Sequence, residues 1–208
     1  MLCDLKAVTG SPVVATDGEI GSVRTFLFDD QSWKVRYLVV DVGNLLKRRD
    51  VVLPITALKK PDWANKTYCA LLTKDQVRNS PDVDTEKPVS RQQEIAMRDY
   101  FGPLASWVDS EFGMPPMPTG MKYPVSTPGF PHLRSTSHVM GYQVWATDGD
   151  FGILEDFVID EDSWHIGYLD VKSGDWLQNR SVLVPTRWVQ SVSWADFRIQ
   201  LHHTKAVT

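Results

Sequence analysis

The chain states much of its structure twice. Residues 13–21 read VVATDGEIG, and residues 144–152 read VWATDGDFG. Residues 32–43, SWKVRYLVVDVG, return at 163–174 as SWHIGYLDVKSG, and VVLP at 51–54 returns at 182–185 as VLVP. One offset of 131 positions aligns every pair without a gap, from Gly10 and Gly141 to Trp63 and Trp194. Self-similarity at a fixed offset marks a duplicated supersecondary unit. Whatever the first half folds into, the second half is expected to fold into as well.

The shared residues are turn glycines, a turn aspartate, core aliphatics, tryptophans, a tyrosine and a proline. These residue types build a fold. No His, Cys or Ser/His/Asp set is shared, so the repeat carries architecture and no reaction. The chain is expected not to be an enzyme, and no catalytic, cofactor-binding or metal-binding residue is assigned.

Each repeat reads as short strands separated by turns. Asp17-Gly18 and Asp148-Gly149 are hairpin-turn signals, because glycine adopts positive φ cheaply. Val13 and Ile20, with Val144 and Phe151, are placed inward on the paired strands. Gly21 and Gly152 mark a bulge or a close backbone approach. Leu38 and Val40, with Leu169 and Val171, alternate at period two and point into a core. Val39 becomes Asp170, so that face is expected to be wetter in the second copy. Pro54 and Pro185 stop the following strand. Five or six short strands in about 70 residues argue a small, closed or nearly closed antiparallel barrel.

Between the repeats lie a short helix at 74–81, a helical stretch over Val89–Tyr100 with a capping box at Ser90 and Gln93, and a proline-rich run over 113–131. The expected organisation is residues 1–80 as the first repeat, 81–131 as a helical and proline-rich linker, and 132–208 as the second repeat.

The chain has 208 residues, 42% hydrophobic and 23% charged, an ordinary balance for a globular protein. Its net charge of −4 disfavours binding to nucleic acid or an anionic membrane. Two cysteines without CxxC spacing fit a reducing compartment, and the first residues lack a signal-peptide pattern, so a cytoplasmic location is expected. No apolar run is long enough to span a bilayer.

Four candidate sites stand out from the strands. The acidic turns at 29–30 and 160–162 are read as solvated turns, since they lack the spacing of a calcium loop. His202 and His203 are adjacent and point to opposite faces of a strand, so they do not chelate one ion together. Cys69, within a strand, is read as a buried, inert thiol. The connector after the fourth strand carries Leu45, Leu46, Lys47 and Arg48 in one copy and Trp176 and Leu177 in the other. These six are the candidate partner-binding residues, with Trp176 as the anchor, because tryptophan concentrates binding energy at interfaces.

The motifs ATDGxxG (15–21), YLVV (37–40) and VVLP (51–54), with their second copies, resemble the PRC-barrel superfamily. That family includes the cytoplasmic domain of the photosynthetic reaction-centre H subunit, the C-terminal domain of the ribosome maturation factor RimM and many small stress-associated bacterial proteins. The connector GDWLxxR at 174–180 resembles a tandem bacterial subgroup; the first copy departs there, with Leu45 in place of the tryptophan. The resemblance implies two small PRC-type barrels in tandem, mainly β, with Asp17, Gly18, Gly21, Pro54, Asp148, Gly149, Gly152 and Pro185 as structural residues. It implies a non-catalytic adaptor for an unidentified protein partner, in stress adaptation, with the two barrels packed as a pseudo-dimer and homo-oligomerisation left open. Two alternatives follow from the same family: a subunit of a reaction-centre-like electron-transfer complex, and a ribosome or RNA assembly factor.

Overall fold

A computed structural model describes residues 2–43, 49–60, 65–81, 96–97, 99–101, 133–173 and 180–205. The described chain is mainly β, in two sheets whose elements follow the offset of the repeat. The first half carries β1 (Leu2–Asp4), β2 (Pro12–Ala15), β3 (Gly18–Asp29), β4 (Lys34–Asp41), β5 (Asp50–Pro54), β6 (Tyr68–Cys69) and the short helix α1 (Lys74–Arg78). The second half carries β7 (Leu133–Ser135), helix α2 (Thr136–Val139), β8 (Gln143–Ala146), β9 (Gly149–Asp160), β10 (Ile166–Ser173), β11 (Arg180–Pro185), β12 (Val189–Ser193) and β13 (Arg198–Leu201).

The first sheet runs β5-β4-β3-β2-β6 and the second β11-β10-β9-β8-β13-β12. Two expectations need correction. The sheets are not wholly antiparallel: β2 pairs with β6, and β8 with β13, in parallel. The chain leaves β5 through a 3₁₀ turn at Ile55–Ala57, and residues 57–59 then form a hairpin with 69–71, which delivers β6 to the free edge of β2 in the same direction. Nor does a ladder close either sheet into a full ring among the described residues; the units are barrel-like and open.

The turn glycines are placed by geometry that only glycine satisfies. The hairpin residues are Thr16-Asp17, with Ala15 paired to Gly18, so the turn sits one residue earlier than the Asp-Gly signal suggests. Gly18 and Gly149 follow it at φ +127°. Asp17 and Asp148 accept the backbone N–H of Lys74 and Lys205, at 2.8 and 3.0 Å, and so fasten the turn to the chain leaving β6 and β13. Ile20 is the bulged residue: Val13 opposes Gly21 while Val14 opposes Glu19. The bulge drives Gly21 against the β4 backbone, where a Cβ would lie 2.0 Å from the Asp41 carbonyl oxygen; at Gly152 it would lie 2.2 Å from that of Lys172.

The period-two reading of the core holds. Val13, Leu38, Val40, Val144, Leu169 and Val171 are fully buried, with Ile20 and Phe151 nearly so. The wetter second copy also holds. On the outer face of β4 and β5, Val39 and Val52 are fully buried, whereas their counterparts are a part-exposed Asp170 and Leu183, which is 51% exposed. Asp170 there accepts a hydrogen bond from Ser181, as a solvated face requires. Cys69 corrects its reading: Tyr68 takes the inward position, so alternation turns Cys69 outward and leaves it only partly buried. Helix α1 carries a complete capping box between Thr73 and Gln76. The Ser90–Gln93 box and the proline-rich run fall outside the described residues.

Candidate functional site

The two sheets are joined by reciprocal exchange of their first strands. Strand β1 pairs with β9 of the other half, with Leu2 opposite Asp160, Cys3 opposite Ile159 and Asp4 opposite Val158. Strand β7 pairs with β3, with Leu133 opposite Asp29, Arg134 opposite Phe28 and Ser135 opposite Leu27. Subtracting the repeat offset from one register reproduces the other. A local dyad therefore relates the halves, and it passes between Lys34 and His165, which form a bridge across it. Val35 donates its N–H to the Trp164 carbonyl at 2.9 Å, and Ile166 donates to that of Trp33 at 2.8 Å. Trp33 and Trp164 both adopt positive φ, 56° and 57°, to make this crossing. Their rings pack into the seam: Trp33 stacks on Phe28 at 5.5 Å, and Trp164 lies 6.2 Å from Phe26 and 6.4 Å from Tyr68. Burial pushes the Tyr68 hydroxyl pKa far up.

The backbone of the seam is symmetric, but its side chains are not. On the first half, Arg134 reaches from β7 to the Asp30 carboxylate, with side-chain exposures of 9% and 7%. The same guanidinium donates to the Val192 carbonyl at 3.2 Å and lies 5.7 Å from the Trp194 ring. Beside it, the Thr25 hydroxyl meets Ser135 and Thr136 hydroxyls at 3.1 and 3.0 Å and accepts the Ser137 N–H. The counterpart of Thr25 on the second half is Asp156. Its two carboxylate oxygens each accept the Lys6 N–H at 3.1 Å, and one accepts that of Phe157 at 2.8 Å. Asp156 is 6% exposed. Desolvation raises its pKa, opposed by those two backbone hydrogen bonds.

That shift has a consequence for stability. With its folded pKa above the ordinary carboxylate value, Asp156 favours the protonated fold. Its contribution is fullest below the ordinary range and is lost as pH rises through the raised value. Asp156→Thr, which installs the residue the first half uses at this place, is expected to raise stability more at pH 7 than at pH 4. Urea denaturation at both pH values checks it; a gain that is equal at the two, or larger at pH 4, contradicts the assignment.

The acidic turns are used internally, and the solvated reading fails at Asp30, whose side chain is 7% exposed against Arg134. Asp29 Oδ1 accepts the N–H groups of Gln31 and Ser32, at 3.0 and 2.7 Å, and the Ser32 hydroxyl at 3.0 Å. Asp160 repeats this with Asp162 and Ser163, and the Ser163 bonds hold its pKa down. Lys60 binds Asp162 at 2.6 Å on the surface. Among the described residues no cluster of three His, Cys, Asp or Glu is placed to hold a metal ion.

The six candidate partner-binding residues, Leu45, Leu46, Lys47, Arg48, Trp176 and Leu177, lie outside the described residues. The histidines are scattered. His165 sits at the dyad, His203 meets Trp188 edge-on at 4.8 Å, and His138 stacks flat on Trp194 at 3.8 Å while its Nδ1 lies 3.0 Å from the Tyr142 hydroxyl. Sequence reasoning missed the arms at 2–8 and 133–139, together with Arg134 and Asp156. A signal was present: the offset of 131 also relates Leu2 to Leu133 and Val8 to Val139.

The bulged β2–β3 hairpin, the β4–β5 ladder and the 3₁₀ turn that follows form one contiguous unit, and a family model of the PRC-barrel domain matches residues 5–67 across it. Over residues 5–67 the chain is thus similar to the PRC-barrel family. The match begins at Leu5, just after β1, and ends before β6, so the exchanged strand lies outside the matched PRC segment. An uncharacterized protein of Deinococcus radiodurans is 29% identical over 110 residues, covering 45% of this chain and 39% of that protein. The chain thus matches about two-fifths of that relative's length. No helix among the described residues is long and apolar enough to cross a membrane.

Proposed function

We propose that this chain is a non-catalytic interaction module built from two PRC-barrel units, acting as an adaptor for a protein partner. The observation that carries this reading is where the shared polar residues go. Asp17 and Asp148 hold turns to the backbone, and Asp29 and Asp160 cap the turn that crosses the dyad. The duplicated chemistry is thus committed to shape, which suits a module that presents surfaces. The finer role, adaptation to stress, rests on the resemblance to the tandem bacterial subgroup. A cytoplasmic location is part of the same proposal.

The connectors are the proposed contact points, since one of them carries Trp176, a side-chain type that concentrates binding energy at interfaces. Trp176→Ala is expected to weaken capture of the partner from native lysate by at least about tenfold, as loss of an aromatic anchor does. Leu45→Ala combined with Leu46→Ala tests the other connector. Captured proteins identical in wild type and both variants would overturn the assignment of the connectors. Multiple-turnover conversion of a small molecule by the purified chain would overturn the non-catalytic reading.

A further inference from the structure

The two exchanged strands make the same backbone pairing with very different side-chain anchorage. In β7, Leu133, Arg134 and Ser135 are all buried, and Arg134 and Ser135 engage Asp30 and Thr25. In β1, Leu2 is 53% exposed, Asp4 is exposed, and the Cys3 thiol reaches the neighbouring Asp4 carbonyl at 3.5 Å. What holds this arm is concentrated further on. Leu5 donates to the Phe157 carbonyl at 3.0 Å, Lys6 donates to Asp156, and the Leu5 and Val8 side chains are 1% exposed. Every one of those backbone bonds goes to the opposite half. At Gly10 the chain changes sides: Gly10 donates to the Val23 carbonyl and Val23 to that of Ser11, both at 2.8 Å and both within the first half. Gly10 makes the change at φ +83° with open space around its α-carbon.

We propose that residues 2–8 form an exchangeable arm through which two copies of this chain bind each other, each copy's β1 filling the β9 edge of the other. The slot has strict requirements. It needs three β-strand backbone positions, a donor for Asp156 and two apolar side chains at the spacing of Leu5 and Val8. Leaving it empty would expose the Leu5 and Val8 side chains and the edge of β9 to water, so simple detachment is unfavourable. The segment shown to meet every requirement is this arm itself, and a second copy supplies an identical one. Exchange then conserves every bond except those that close the Thr9–Gly10 hinge, among them Ser11 N–H to the Val8 carbonyl at 3.2 Å, and the balance between closed and exchanged forms follows protein concentration and hinge strain. The arm at 133–139 is held more tightly, by the buried Arg134–Asp30 pair and the hydroxyl cluster, and is released more slowly.

The test uses the full chain with Cys69→Ser and Ile159→Cys, keeping Cys3 directly opposite position 159. The protein is equilibrated over a range of concentrations, oxidised, denatured and resolved without reductant. A closed arm gives an internally cross-linked monomer and an exchanged arm gives a covalent dimer. The expected result is a dimer fraction that grows with concentration. Gly10→Ala, which penalises positive φ in the closed form, is expected to raise the dimer-to-monomer ratio about tenfold. Cross-linked monomer alone at every concentration, with or without Gly10→Ala, overturns the proposal, as does the absence of any cross-link. Should Ile159→Cys fail to fold, Leu2→Cys with Asp160→Cys in a Cys3→Ser, Cys69→Ser background reads the same pairing at the surface.

Discussion

Arg134→Ala is expected to cost about 3–5 kcal/mol of unfolding free energy, because it takes the guanidinium away from the largely buried Asp30 carboxylate. The Asp30 side chain is 7% exposed, and the arm that carries Arg134 has all three strand residues buried. Losing the guanidinium also removes its bond to the Val192 carbonyl and its packing beside Trp194, which links β7 to the last hairpin. The pair itself is not expected to be a large net source of stability, since desolvating two charges offsets most of their attraction. Arg134→Met combined with Asp30→Leu should therefore recover most of the loss. Chemical denaturation of the two singles and the double separates these terms. If Arg134→Ala costs under about 1 kcal/mol, the pair is not buried in solution.

Gly21→Ala and Gly152→Ala are the second pair of large effects. An added methyl at either position falls about 2 Å from a carbonyl oxygen of the neighbouring strand, 2.0 Å from Asp41 and 2.2 Å from Lys172. Backbone cannot yield as a flexible side chain can, so the β3–β4 or β9–β10 ladder must part locally. The expected loss is about 3 kcal/mol or more for each, the upper range for overpacking. Gly152 sits at φ +153°, so it carries an additional backbone penalty that Gly21 does not. Gly10→Ala and Gly141→Ala are useful contrasts: both positions have φ near +85° but open space, so their cost is conformational alone and about 1–2 kcal/mol. Thermal or urea unfolding of the four variants ranks them; equal losses would contradict the steric account of Gly21.

The repeat made much of the fold legible. Alternation placed Leu38, Val40, Leu169 and Val171 inside because a β-strand has a fixed period and a half-buried sheet must respect it. The change from Val39 to Asp170 foretold an uncovered face, since a carboxylate there has to reach water. The acidic turns were read as turns because no ligand spacing was present, and Asp29 and Asp160 spend their oxygens on the backbone. What stayed hidden were contacts that spacing does not encode. Strands β1 and β7 are three residues long, too short to show a period, and their partners lie more than 100 positions away. Arg134 and Asp30 lie 104 positions apart, and nothing local distinguishes them from solvated charges. Asp156 has a polar counterpart in Thr25, and nothing local in the sequence marks it as buried; only the arm folded over it makes that face dry. The parallel pairing of β6 with β2 depended on a 3₁₀ turn at Ile55–Ala57, which an apolar run of that length does not announce.

The reciprocal exchange about the dyad is tested most directly by backbone proton contacts across the seam in an isotope-labelled monomer. Cross-strand contacts between Cys3 and Ile159, and between Arg134 and Phe28, are the expected result. Contacts between Cys3 and Phe28, and between Arg134 and Ile159, would mean that each half keeps its own first strand, and would contradict it.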